Sequence, residues 1–244
     1  MRKLKVKRYK QDPSHCVIAA CASIANFVNP EIDYEYTEYI ARKYIWSNLY
    51  DGLESGQAGR LLNMLGFSKV TIITADLDCV DYSWNKLSKK SQAESMAKLL
   101  ESASVDEGIK YTVNGLREFI LESKYSNYLK IDYQFMPYIR KSIDNRMPVW
   151  VSFNWDMFFK TPKWNFQTDA PDEINGEYTY HAVVINGYSK SEGKVSIVDS
   201  HHAHYRGRLK KYSHGRYIMP WEELATVMGT GDVIIPEKYK GPVE

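Results

Sequence analysis

An apolar run, CVIAACASIANFV at residues 16–28, is hydrophobic nearly all round and carries four alanines, Ala19, Ala20, Ala22 and Ala25. A helix without a polar face is a buried one, and small side chains let neighbouring elements approach it closely. The run therefore predicts a central helix. Asn29-Pro30 ends it, because the residue before a proline avoids the helical region. Helical spacing recurs at 34–45 and at 55–66, where Ser55 is placed to cap and Gly66 to stop the helix. The stretch 84–103 predicts a polar, exposed helix, and 113–123 and 136–145 predict amphipathic ones. Between them, KVTIITAD (69–76) reads as a strand and LKIDYQF (129–135) as a short one.

From residue 148 the period changes to that of strands. PVWVSFNW, HAVVINGYS, GKVSIVDS, RGRLKKYS (206–213) and GRYIMP are short β-runs separated by Gly, Ser and Asn turns. PWEELATVM is a last short helix with Pro220 in its first turn, and DVIIP closes the chain as a strand. The expected class is α+β. One domain over 1–244 is expected, with a mainly helical part (1–145) and a β-rich part (146–244) built on an antiparallel sheet or half-barrel. The long connection 156–179 leads into His181. Connections of that length often line a site.

Composition narrows the partners. With 44% hydrophobic residues, 25% charged and a net charge of +2, the chain is of ordinary globular make-up. Neither a nucleic-acid nor a membrane partner is expected. The basic start, MRKLKVKR, lacks interleaved aromatics and reads as a solvated leading strand. No apolar stretch follows it, so a signal peptide is not expected; with no span-length segment, a cytoplasmic protein is. Three cysteines, Cys16, Cys21 and Cys79, are too few and too uneven for a disulfide framework. GQAGRLLNMLG follows no strand with dinucleotide spacing, and no cofactor is expected.

Three residues carry the candidate chemistry. Cys16 stands where a polar turn, QDPSH, meets the apolar helix; helix N-termini favour negative charge and hence a thiolate. His181 opens a core strand, and Asp199 ends the next. If those strands pair through the turn Lys190–Gly193, the imidazole and carboxylate meet at one edge of the sheet, as a carboxylate-oriented general base requires. Gln11, five positions before Cys16, offers a side-chain N–H to join the Cys16 backbone N–H at a developing oxyanion. Taken singly, each is more often a packing or turn residue; the combination carries the reading. His202 and His204, with Asp199 or Cys16, offer a competing zinc arrangement, but no Cys-x-x-Cys or HExxH segment supports it and no metal is expected.

The set QDPSHC, HAVVINGY and VSIVDS resembles the papain-like cysteine peptidases, in particular the branch related to bacteriocin (double-glycine) leader peptidases. RMPVWV (146–151) is similar to the strand that precedes the histidine strand in that branch, and GRYIMPWEEL to its trailing strand and helix. The resemblance implies a papain-like fold and a peptide or amide substrate. It implies Cys16 as nucleophile, His181 as base and acid, Asp199 as its orienter and Gln11 as oxyanion donor. Val17 departs from the Gly or Trp that many relatives carry after the cysteine, and no transporter segment follows, so export-coupled leader cleavage is not implied. An acyltransferase or transglutaminase-like enzyme would use the same residues, and a non-catalytic or metal-binding module could keep the fold.

Overall fold

Side chains alternate across a strand, and in this protein that alternation divides the core in two. A computed structural model describes every residue except 13, 46–51, 166, 169, 202–213 and 243–244. In chain order it contains β1 (Arg2–Lys3), α1 (Cys16–Val28), α2 (Tyr34–Tyr44), α3 (Ser55–Met64), β2 (Phe67–Thr74), a 3-10 turn (Tyr82–Lys86), α4 (Lys89–Leu100), α5 (Glu107–Leu121) and β3 (Ser126–Ile131). There follow α6 (Phe135–Asp144), β4 (Val149–Asn154), α7 (Trp155–Phe159), β5 (Trp164–Asn165), β6 (Ala170–Pro171), β7 (Tyr180–Ser189), β8 (Lys194–Val198), β9 (Arg216–Pro220), α8 (Trp221–Met228) and β10 (Val233–Tyr239). One sheet runs in the order β3-β2-β10-β4-β7-β8-β9, and β1 pairs with β7 beyond the end of β4.

Even-numbered Trp150, Ala182, Val184, Val198 and Ile234 pack with α1 through α5 on one face. Odd-numbered Val151, Val183, Ile197 and Val233 pack with α6, α7 and α8 on the other. The α+β class is thus realised as helices on both faces of a mostly antiparallel sheet. The strands of the first half join that same sheet: β2 pairs antiparallel with β10 and parallel with β3. Parallel neighbours need a crossover, which α4 and α5 supply.

α1 spans the predicted residues, and Asn29 after it is extended, as Pro30 requires. Elsewhere local capping moves the boundaries. Ser88 accepts a hydrogen bond from the Ser91 N–H, so the predicted helix 84–103 divides into a 3-10 turn and α4. Asp106 caps α5, which begins well ahead of residue 113. Glu54, not Ser55, caps α3, with Gln57 Oε1 returning a bond from the Glu54 N–H at 2.7 Å. β3 begins at Ser126 and ends at Ile131, because Phe135 already opens α6. The connection 156–179 holds structure of its own: Asp156 is buried and accepts from the Thr179 N–H and hydroxyl at 2.7 and 2.9 Å, tying its two ends together. The predicted strand 206–213, with His202 and His204, lies outside the described residues. Among the described residues no helix is long and apolar enough to cross a membrane.

Candidate active site

The first turn of α1 is left open. His15 is its N-cap, but its ring meets the Tyr34 hydroxyl at 2.9 Å and caps no helix N–H, and the turn holds no acidic residue. Ser14 just before it sits at φ 63°, the left-handed region that a residue with a Cβ enters at a cost of about 1–2 kcal/mol. Cys16 therefore emerges from a strained turn, half-buried, with the unpaired N–H groups of the helix start around it. Cys21 and Cys79 are also free thiols but buried, and burial pushes both thiols up.

β7 and β8 form the expected antiparallel hairpin, with a bulge between Ile185 and Gly187. Its open end brings His181 Nε2 to 2.7 Å from Asp199 Oδ1, with the two residues 4% and 2% exposed. Asp199 Oδ1 also accepts from the His201 N–H at 2.8 Å, and its Oδ2 accepts from the Tyr217 hydroxyl at 3.0 Å. Burial works against charge on either partner. For Asp199 it is outweighed by the neighbouring imidazole and these hydrogen bonds, which hold the carboxyl below its usual range. For His181 burial is outweighed by the charge and hydrogen bond of Asp199 and then by Cys16, and the ring is held well above its usual value. Cys16 and Asp199 are thus both hydrogen-bonding neighbours of the same ring. With Nε2 engaged by Asp199, the nitrogen left for the sulfur is Nδ1.

Gln11 is tied to the residue that follows Asp199. Its side-chain oxygen accepts from the Ser200 hydroxyl at 2.7 Å, and its backbone N–H donates to Ser200 O at 3.3 Å. An amide whose oxygen is engaged has its N–H₂ end turned the other way. Cys16, His181 and Asp199 are thus brought together, and Gln11 is bonded to Ser200 beside them.

The family model for the Peptidase C39-like family matches residues 3–228. The chain belongs to that family. It is accordingly a member of the papain-like cysteine peptidase superfamily. The solved structure of xylellain, a cysteine protease from Xylella fastidiosa, aligns with 98% of this C39-like chain and 85% of its own at 14% identity, with a TM-score of 0.49. No curated protein matches the chain.

Several supports of this C39-like site were not legible in the sequence. Arg8, in the basic segment expected to be solvated, is part-buried. Its guanidinium donates to the carbonyl oxygens of Asp199 at 2.6 Å and His201 at 2.8 Å, holding the turn that carries the carboxylate. Gly215 closes the same turn at φ 63°; a Cβ there would fall 2.1 Å from Arg8 Nε and 2.4 Å from Asp199 O. Trp155 packs edge-on to the His181 and His201 rings, at 4.9 and 4.5 Å between centroids. It shields the imidazole and opens a pocket of about 320 Å³ lined by Asp156, Thr161, Pro162, Trp164 and Thr179. The signal for Arg8 and Tyr217 was absent because each acts through a contact some 18 to 190 residues away in sequence.

Proposed function

We propose that the protein hydrolyses a peptide or other amide bond by covalent thiol catalysis, with Cys16 as nucleophile, His181 as general base and acid, Asp199 as its orienter and Gln11 as oxyanion donor. The observation that carries this reading is the doubly engaged His181 ring, bonded through Nε2 to a buried carboxylate and adjoining Cys16 on its other side.

Each step follows from that arrangement. Asp199 fixes the ring orientation and favours the imidazolium, so the thiol proton of Cys16 passes to His181 Nδ1. The sulfur attacks the carbonyl carbon, and the developing oxyanion is held by the Cys16 backbone N–H at the open helix start and by the Gln11 side-chain N–H. His181 returns its proton to the leaving amine as the C–N bond breaks, leaving a thioester on Cys16. Water, deprotonated by the same ring, then cleaves the thioester and releases the acid. The Trp155-lined pocket offers an apolar subsite beside the reacting atoms.

The test is thiol labelling joined to kinetics. Iodoacetamide should alkylate Cys16 well ahead of the buried Cys21 and Cys79, and His181→Ala should abolish that lead. With a cleavable peptide, ping-pong behaviour towards water and added amines is expected. Equal, slow labelling of all three thiols would refute the reading.

A further inference from the structure

The two donors assigned to the oxyanion stand at opposite ends of one short turn. Gln11 precedes it with a side-chain amide, and Cys16 follows it with a backbone N–H. Both must reach the same developing charge, at about 2.7–3.1 Å, for either to act at full strength. The His15 N–H donates to Asp12 O at 3.1 Å across the turn, while Ser14 within it sits at φ 63°. A strained conformation of that kind persists only where its surroundings over-determine it. Ser200 fastens Gln11 through both backbone and side chain. That fixes one donor and leaves its distance to the other to be set from elsewhere.

The support comes from α2. Tyr34 is the first residue of that helix. Its hydroxyl accepts from the Asp12 N–H at 3.4 Å, donates to Asp12 Oδ2 at 3.3 Å and meets His15 Nδ1 at 2.9 Å. One donor and two acceptor positions on a phenol suffice for all three contacts when His15 carries its proton on Nδ1. Asp12 is the residue after Gln11, and His15 the residue before Cys16, so a single oxygen spans the two ends of the turn. The phenol is itself well placed. Asp33 caps α2 by accepting from the Tyr36 N–H at 2.8 Å, and Asn26 of α1 donates to the Pro30 and Ile32 carbonyls at 3.0 and 2.8 Å, tying the connection between the helices. Burial first pushes the Tyr34 hydroxyl up to about 12, so it keeps its proton at neutral pH. Burial, ahead of the opposing charges of Glu38 and Asp12, holds His15 below its usual value, so ring and hydroxyl meet uncharged.

Packing accounts for the ring of Tyr34 but not for its oxygen. The ring lies tilted against Tyr9, 6.4 Å between centroids, a contact that phenylalanine would keep. Nor does a metal ion explain the group. Ligand atoms of Asp12, His15 and Glu38 lie within 4.8 Å of one another, but Glu38 is paired with Arg42 and His15 is engaged by the hydroxyl.

We propose that Tyr34 is a positioning residue for catalysis: through Asp12 and His15 its hydroxyl sets the separation of the two oxyanion donors, the Gln11 side chain and the Cys16 backbone N–H. The inference rests on the thiol-peptidase reading above and gives α2 a part in stabilising its transition state.

The test compares the wild type, Tyr34→Phe, Gln11→Ala and the double variant on a peptide that the wild type cleaves, chosen from a randomised library read by mass spectrometry. Tyr34→Phe should lower kcat about tenfold and change KM by less than about twofold. In the Gln11→Ala background the spacing no longer matters, and the same substitution should cost about twofold or less. Alkylation of Cys16 by iodoacetamide, and its pH profile, should not move, because displacement of iodide builds no oxyanion. An unchanged kcat in Tyr34→Phe, an equal loss in both backgrounds, or alkylation that slows in step with kcat overturns the inference and leaves the peptidase reading intact. If Tyr34→Phe does not fold, His15→Ala carries the same expectations and the same refutations, since it removes the other half of the clamp. If the wild type cleaves nothing in the library, an acetylated tripeptide aldehyde and its alcohol decide, because only the aldehyde forms a tetrahedral oxygen on the Cys16 sulfur. Tyr34→Phe should weaken the aldehyde about tenfold and leave the alcohol unchanged, and equal effects on both overturn the inference. An aldehyde that the wild type does not bind refutes the peptidase reading, and the inference falls with it.

Discussion

Two ionisable clusters share one end of the sheet, and they differ in what balances their charge. Around Asp199 every oxygen is engaged: His181 and the His201 N–H on one, the Tyr217 hydroxyl on the other. Around Asp232 the partners are the neutral hydroxyls of Ser55 and Thr74, and no described cation balances the charge. Low dielectric makes the first arrangement strong and the second costly. A self-satisfied pair keeps its geometry when the cleft is empty, which proton transfer requires. An acidic set without a cation instead holds its protons to higher pH. The contrast separates, within a few strands, the groups proposed to perform chemistry from a set whose charge is governed first by burial.

The largest effects should come from the self-satisfied side. Cys16→Ala and His181→Ala should each lower kcat/KM by about 10⁴-fold or more, and the double variant should be little worse than either, because the two act as a unit. Additive losses in a peptide-cleavage assay would break the pairing. Gln11→Ala should reduce kcat by about 10²–10³ with a small change in KM. Ser200→Ala, which only frees the Gln11 amide to rotate, should lose less, and a loss of equal size would mean that the hydroxyl itself meets the oxyanion.

How much of this was legible beforehand follows from the physics of each part. Cys16, His181 and Asp199 lie at the ends of strongly periodic runs, and a polar residue terminating an apolar element is conspicuous. The hairpin turn then fixed which two would meet. The acidic set is different: Asp76 and Asp232 sit at strand ends and Glu54 at a helix cap, where acidic residues are commonplace, and Asp76 and Asp232 converge only because β2 and β10 are neighbours in the sheet. That pairing, and the parallel β3 beside it, depend on tertiary contacts that no local pattern announces. Arg8 was misjudged for the same reason, since a basic run resembles any solvated one until its partner carbonyls are in place.

Stability against pH should sharpen the comparison further. Asp232 and Glu54 have raised folded values, about 6 and 7, so the native state binds their protons more tightly than the unfolded chain does. Their penalty is absent below about pH 4 and is complete once the pH has risen through the folded values. The groups that face them, Asp76, Cys79 and Tyr180, carry no positive charge to offset it. Asp232→Asn should therefore raise stability on the order of 1–2 kcal/mol at pH 8 and change it little at pH 4 in urea titrations. The Asp199–His181 pair runs the other way. Its carboxyl is lowered and its imidazole raised, so its contribution is present between the unfolded values, lost in acid as Asp199 protonates and lost in alkali as His181 deprotonates. The smallest effect is expected for Tyr217→Phe, which removes one hydrogen bond to Asp199 and should cost about 1 kcal/mol in the same titrations.

The Arg8 guanidinium spans nearly the whole chain to grip the carbonyls on either side of Ser200, the residue that steers Gln11. The opening segment is consequently a fastening strap for machinery encoded near the other terminus. Trimming the first eight residues would leave α1 and the great majority of the sheet's strands whole, yet would untie carboxylate and amide together, so a well-folded but inert product is the expected result of careless truncation.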